Sequence, residues 1–118
     1  MMRKLTLLSM LFGLSSISFA ACNTANVYES IECYEKQLKA AKTELNQTYQ
    51  KIYKSLDNQG KIILEHSQIY WLTYKNHHCD ELVGYLASQY QGGGSQLVNL
   101  SCNTDLTKDR IKQLKDTF

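Results

Sequence analysis

The stretch VYESIECYEKQLKAAKTELNQTYQKIYKSL, residues 27–56, carries the most regular apolar pattern in the chain. Its apolar positions recur at steps of three and four residues, at 27, 31, 34, 38, 41, 45, 49, 52 and 56. This spacing places them on one side of an α-helix and does not fit the alternation of a strand. Asn26 with Glu29 three residues later is typical of a helix start, and Gly60 can close a helix in the left-handed conformation. We therefore predict a first helix over about residues 27–57.

A second apolar stripe predicts another helix over about residues 61–89. Its members are again three or four residues apart: Ile62, His66, Ile69, Leu72, Asn76, Cys79, Val83 and Leu86. The glycines at 92–94 disfavour a helix, so a loop is expected there. A third helix is expected to start near Asn103 or Thr104 and to run to the C-terminus. The predicted fold class is all-α, with two long antiparallel helices plus a shorter C-terminal helix, stapled by disulfides.

The first twenty residues have the pattern of an export signal. Met1–Lys4 is short and basic, Leu5–Ile17 is largely apolar, and Ser18–Ala20 supplies the small residues that a signal peptidase reads. The apolar run is too short for a stable membrane span. We therefore expect residues 1–20 to be a signal peptide and residues 21–118 to form one helical domain that is periplasmic or secreted.

The charge of the chain gives no indication of nucleic-acid binding. Arg3 and Lys4 lie in the expected signal, and without residues 1–20 eleven basic and eleven acidic residues remain. A neutral balance does not attract a polyanion over a distance.

Four cysteines follow the expected signal: Cys22, Cys33, Cys79 and Cys102. An even number in an exported chain indicates two disulfides. Cys33 and Cys79 differ in height along the predicted helix pair by about 9 Å, which is more than a disulfide spans. The pairings 22–33 with 79–102, or 22–79 with 33–102, remain, and we prefer the first because its loops are shorter. Lipidation of Cys22 within the sequence FAAC is a minor alternative, and it would leave an odd number of cysteines.

The segment SQIYWLTYKNHHCDE, residues 67–81, is the densest in chemically active side chains. Adjacent His77 and His78 point about 100° apart on a helix, so they do not readily share one metal ion. A disulfide-bonded Cys79 carries no thiolate and is not a nucleophile. We therefore predict no catalytic residue, metal site or cofactor here.

A structural role is the preferred interpretation of this segment. On a helix, Gln68, Trp71 and Lys75 share one face and are expected to meet the middle of the first helix near Asn46 and Tyr49. Amphipathic side chains there bury their bodies and hydrogen-bond through their tips. We predict a structural polar seam made of Asn46, Tyr49, Gln68, Trp71 and Tyr74.

The same residues, with others along the chain, resemble the LprI-like lysozyme inhibitor family. The resemblance is carried, in order, by Cys33, Leu45-Asn46, Tyr49, Gln68, Trp71, Tyr74, Lys75, Cys79, Gly93-Gly94-Ser95, Cys102, Leu106-Thr107, Arg110 and Leu114. It covers nearly all of the chain after the expected signal. Members of the family are small exported bacterial helical domains that are rich in cysteine. The family usually has Arg after the Tyr where this chain has Lys75, and Lys does not form a bidentate fork.

The resemblance implies an envelope protein that binds and inhibits lysozyme-type cell-wall hydrolases. The alternative is a periplasmic binding or immunity protein for another cell-wall-degrading enzyme, and an enzymatic role is not expected. A lysozyme cleft carries two carboxylates and accepts an extended sugar chain, so an inhibitor needs a narrow protrusion to enter it. The expected loop Tyr90–Ser101 suits this, and we predict Gly93, Gly94 and Ser95 as partner-binding residues, joined by Lys75 if it reaches the same end.

Overall fold

The computed structural model describes residues 22–90 and 92–118, and within them every regular element is helical. The elements are α1 (Val27–Ser55), α2 (Asn58–Lys75), a π-helical segment (Asn76–Val83), α3 (Gly84–Ala87) and α4 (Gly94–Thr117). The all-α prediction is confirmed. The expected signal peptide, residues 1–20, lies outside the described residues.

Helix α1 begins where the sequence predicts it and ends two residues earlier. The Asn26 side chain accepts hydrogen bonds from the backbone N–H groups of Tyr28 and Glu29, at 2.9 and 3.4 Å, which caps the first turn. At the other end Leu56 is extended. The Asp57 side chain accepts a hydrogen bond from the Gly60 N–H at 2.8 Å and caps α2. Gly60 was expected to close the first helix, and this was wrong, because Asp57 starts the next helix there.

Helix α2, the π-helical segment and α3 follow one another without a break, so the expected second helix forms one long rod. The backbone stays in the right-handed helical region at both junctions, Asn76 and Gly84. The π-helical segment was not predicted. Its hydrogen bonds join residues five apart, and such turns are rare in helices.

Helix α4 starts at Gly94 and not near Asn103, so the expected loop Tyr90–Ser101 is mostly helix. Gly92 has φ +65° and turns the chain out of the rod. Gly93 then approaches α1 closely, because a Cβ atom there would lie 3.0 Å from Ile31 Cδ1 and 3.4 Å from Val27 Cγ2. A glycine in a helix costs only about 1 kcal/mol. Packing of this first part of α4 against its neighbours outweighs that cost.

The core lies mainly between α1 and α4, which pack along each other, whereas α1 and α2 make few close contacts. Its buried members are Ala41, Leu45, Ile52, Leu64, Ile111 and Leu114. Leu64 is the one buried apolar residue of α2. The predicted stripe of α2 is not its buried face, because Ile62, Ile69 and Leu72 are all exposed.

Two disulfides fasten the bundle, and the preferred pairing is confirmed. Cys22–Cys33 ties the N-terminal segment to α1, with Cα atoms 5.5 Å apart. Cys79–Cys102 ties the π-helical segment to α4, with Cα atoms 5.6 Å apart. No helix in the described ranges is long and apolar enough to cross a membrane.

Candidate functional site

A cleft of about 720 Å³ opens between α1 and α2, with α4 at its base. We call it the cleft. It is lined by Leu38, Lys42, Leu45, Asn46, Tyr49, Gln50, Gln68, Trp71, Leu72, Lys75, Asn76, Asp80, Asn99, Asn103 and Thr107. Its size is in the usual range for small-molecule sites, although polar side chains are more frequent here than in most of them.

A network of hydrogen bonds forms one end of the cleft. The Lys75 ammonium is buried and donates to the side-chain oxygens of Asn103, at 2.7 Å, and Asn76, at 3.2 Å. The side-chain amide groups of Asn103 and Asn99 both donate to one oxygen of Asp80, at 3.0 and 2.9 Å. The network satisfies the buried polar groups, which would otherwise be destabilising.

The π-helical segment and the disulfide explain how this network is assembled. Lys75 and Asp80 are five residues apart, the interval that a π turn brings together. Cys79, between them, is fully buried and bonded to Cys102, which directly precedes Asn103. Asp80 and Asn103 are thus the immediate chain neighbours of the two bridged cysteines. The disulfide therefore holds the two halves of the network at a fixed distance.

The surroundings shift the pKa values of Lys75 and Asp80 for different reasons. Burial lowers the pKa of the Lys75 ammonium; nearby Asp80 opposes this shift, and Lys42 adds to it. The hydrogen bonds from Asn103 and Asn99 lower the pKa of the Asp80 carboxyl, and the charges of Lys75 and Lys42 lower it further, against a partial burial that raises it. The cleft thus holds two cations and one carboxylate that stays ionised.

We expect the network to make stability depend on pH in the acid range. Because the folded state lowers the pKa of Asp80, its contribution is complete above the unfolded value of about 3.9 and is lost as the pH falls through the folded value. Asp80→Asn should therefore lower the urea midpoint at pH 7, and the difference from the wild type should shrink below about pH 4. Asp109→Asn, which removes an exposed carboxylate from α4, is the control for a change of one charge. An Asp80→Asn difference that does not vary with pH would contradict this role.

Arg110 supports the cleft from behind. Its guanidinium donates to the Gln68 side-chain oxygen at 3.0 Å and to the Ser67 hydroxyl at 2.9 Å, and its Cζ lies 5.9 Å from the centre of the Trp71 ring. The Lys75 Nζ lies 6.0 Å from the same ring. At this distance both cations are attracted to the π electrons of the indole ring. Trp71 is therefore held in position while it remains only half-buried.

The structure brings together most of the side chains that the sequence predicts as a polar seam. Asn46, Tyr49, Gln68 and Trp71 all line the cleft, and so does Lys75. The sequence predicts that these side chains pack against each other between two helices. In the structure they surround an open space. Tyr74 is not among them: it is exposed and stacks on His78, with ring centres 5.7 Å apart.

The predicted partner-binding residues divide between two places. Lys75 belongs to the cleft. Gly93, Gly94 and Ser95 lie at the start of α4, and none of them lines the cleft. The binding of a partner by Lys75 together with the glycine segment, which depends on Lys75 reaching the same end, stays a prediction.

Sequence reasoning missed several residues of the cleft, namely Lys42, Gln50, Asp80, Asn99 and Asn103. The row Lys42, Asn46 and Gln50 was detectable, because its members are four residues apart on α1 and polar. Asp80 was not, since on a regular α-helix a residue five positions after Lys75 points away from it. Asn99 was hidden by the wrong assignment of its segment to a loop.

Within the two described ranges no group of three or more His, Cys, Asp or Glu side chains is placed to hold a metal ion. His77 pairs with Glu81 on the surface at 2.7 Å, and all four cysteines are in disulfides. What the geometry offers is a polar, partly aromatic cleft and an exposed turn.

Comparison with known proteins identifies the family. Neither the curated proteins nor the solved structures contain a chain that is significantly similar. The family model described as "Lysozyme inhibitor LprI" matches residues 20–114, most of the chain and all four cysteines. The match runs through the cleft, both disulfides and the turn before α4. The chain therefore belongs to the LprI lysozyme inhibitor family.

Proposed function

We propose that this protein is exported to the bacterial envelope, where it binds and inhibits lysozyme-type cell-wall hydrolases. The observation that carries the proposal is the family match over residues 20–114. The protein acts by binding and performs no reaction of its own. A family match transfers the fold more securely than the activity, so inhibition has to be measured directly.

Export is supported by the two disulfides, which persist in oxidising compartments, and by the signal-like pattern of residues 1–20. The Cys22–Cys33 bridge uses the sulfur that a lipid anchor on Cys22 would need. This supports a periplasmic or secreted protein over one anchored through Cys22.

For the contact with lysozyme we propose the end of the molecule around the turn between α3 and α4. Tyr85, Leu86 and Tyr90 are exposed there, and aromatic side chains are enriched in protein interfaces. Tyr90 lies against the start of α4, because a Cβ atom on Gly94 would be 3.3 Å from Tyr90 Cβ. Ser95 is half-buried in the first turn of α4, directly after Gly94. We call Tyr85, Leu86, Tyr90 and Ser95 the turn surface.

Removal of one aromatic ring from the turn surface should weaken inhibition. Tyr90 is 61% exposed, so Tyr90→Ala should leave the helical fold unchanged. We expect inhibition to weaken about tenfold to thirtyfold, the loss typical of an aromatic residue central to an interface. The measurement is lysis of bacterial cell walls by lysozyme at increasing concentrations of the purified domain, beside far-ultraviolet circular dichroism.

Tyr70→Ala is the matched control, since Tyr70 is 75% exposed and lies on α2, away from the turn in sequence. It should inhibit like the wild type. Equal loss in both variants, or in neither, would remove the turn surface as the contact. If the wild type does not inhibit any lysozyme but captures another wall-degrading enzyme from periplasm, the alternative of an immunity or binding protein replaces the proposal.

A further inference from the structure

The cleft lowers the stability that a domain of this size could otherwise have. Its base buries Lys75, Asn103 and Thr107, whose desolvation has to be offset by hydrogen bonds. Trp71 and Tyr49 pack against the core on one side, but they stay half-buried because the rest of each side chain lines the open cleft, where contact between α1 and α2 would bury it. A purely structural seam would favour closure, so the open cleft points to a ligand.

The rim of the cleft offers hydrogen-bonding groups that the fold does not use. Lys42, Asn46 and Gln50 form one row on α1, four residues apart and exposed. They make no hydrogen bond to another side chain in the described part of the protein. Across the cleft, the Gln68 oxygen accepts from Arg110, which leaves its amide N–H groups available. Side-chain amides both donate and accept, so they match ligands that carry amides and hydroxyls.

The remaining features of the cleft narrow the ligand class. Trp71 and Tyr49 add aromatic surface suited to the apolar faces of a ring that is polar at its edge. Asp80 and Lys75 are satisfied by asparagines within the network, whereas Lys42 is the cation on the open rim. The acetamido and hydroxyl groups of such a ligand would match the side-chain amides, its ring faces would match Trp71 and Tyr49, and a carboxylate would match Lys42.

We infer that the cleft binds the glycan of the bacterial cell wall, an extended chain of N-acetylated sugars of which every second one bears a carboxylate. The choice of this glycan rests on the proposed function, because it is the polymer that a lysozyme cleaves. None of the residues of the turn surface lines the cleft, so the two regions are proposed to bind at the same time. The inhibitor is thereby held on the polymer that it protects.

The test uses Trp71 itself, the single tryptophan of the chain, as a fluorescent reporter inside the cleft. The probe is a soluble tetrasaccharide of alternating N-acetylglucosamine and N-acetylmuramic acid. The wild-type protein should show a saturable change in fluorescence. The tetramer of N-acetylglucosamine, which lacks the carboxylates, should bind about tenfold more weakly, the factor expected for loss of one charged hydrogen bond.

Two triple variants on α1 provide a matched comparison. Lys42→Ala/Asn46→Ala/Gln50→Ala removes the rim row, and affinity for the acidic tetrasaccharide should fall about tenfold or more. Lys39→Ala/Thr43→Ala/Gln47→Ala changes exposed residues three positions earlier, which do not line the cleft, and affinity should stay within about twofold. Alanine favours the helix in both triples, so both should fold.

The inference is overturned if the wild type shows no saturable change, or if the rim variant binds as well as its control. Equal affinity for the neutral tetramer overturns the assignment of the carboxylate to Lys42. No lysozyme is present in this experiment, so its outcome does not depend on inhibition. Conversely, a rim variant that loses the glycan and still inhibits lysozyme separates the cleft from the turn surface.

Discussion

Replacement of Cys79 and Cys102 by alanine is expected to lower the free energy of unfolding by about 3.5 kcal/mol, the chain-entropy value for a loop closed across 23 residues. The loss has a structural part as well, because Cys79 is fully buried where the π-helical segment meets α4. Without the bridge, Asp80 and Asn103 are no longer held at a fixed distance. The measurement is urea unfolding without reducing agent, followed by both circular dichroism and Trp71 fluorescence.

The other disulfide is the control. Cys22→Ala/Cys33→Ala opens a loop of only 11 residues, and the expected loss is about 2.8 kcal/mol. The two variants should differ more in the native fluorescence of Trp71 than in stability, since Cys79–Cys102 adjoins the network at one end of the cleft and Cys22–Cys33 does not line the cleft. A Cys79→Ala/Cys102→Ala variant with the wild-type urea midpoint and fluorescence would show that packing alone holds the rod to α4.

Leu64→Ala is expected to lower the free energy of unfolding by about 3 kcal/mol, within the range for a buried leucine. Leu64 is 5% exposed and is the one apolar side chain that α2 buries in the core. Trp71 of α2 also packs against the core, but it is only half-buried, so Leu64 contributes the most completely buried apolar contact of this helix. The loss of this anchor should therefore affect how α2 is held against α1 and α4, and thermal or urea unfolding measures it.

Ile69→Ala tests the other face of the same helix. Ile69 is 59% exposed, so its removal should change stability by less than about 0.5 kcal/mol. If Ile69→Ala is as destabilising as Leu64→Ala, the exposed face of α2 is covered in solution, and a concentration-dependent midpoint would then identify a second copy of the chain as the cover.

The turn surface and the cleft are proposed as two separate binding regions with different chemistry. The turn surface is aromatic and exposed, as protein interfaces are. The cleft is concave and rich in amides, as sites for polar ligands are. An inhibitor with both would meet lysozyme on its own substrate, and the rim and Tyr90 variants are designed to remove one function at a time.

Local patterns along the chain were sufficient for the fold class, for α1 and for the preferred disulfide pairing. The stripe at 27–56 predicts α1 because helical periodicity is a property of consecutive residues. The pairing of Cys22 with Cys33 and of Cys79 with Cys102 followed from helix rise and loop length. The grouping of Gln68, Trp71 and Lys75 on one face of α2 followed from the same periodicity.

The buried face of α2 and the start of α4 were decided by tertiary structure. Helix α2 has apolar residues on both sides, so periodicity could not choose between Ile69 and Leu64, and packing against α1 and α4 did. The three glycines predict a loop, because glycine lowers the stability of a helix. The loss at Gly94 is small, however, and the packing of Gly93 closely against α1 outweighs it.

The cleft itself also belongs to the tertiary level. It requires a π-helical segment that turns Asp80 toward Lys75 and a disulfide that holds Asp80 near Asn103. It also requires that α1 and α2 make few close contacts with each other. The local sequence pattern does not reveal the π-helical segment, for which a regular helix is expected, or the contact of Asp80 with Asn103, which lies 23 residues later in the chain. The sequence by itself determined the fold class, the position of α1 and which cysteines pair, whereas the contacts between helices determined where α4 starts and which polar side chains surround an open site.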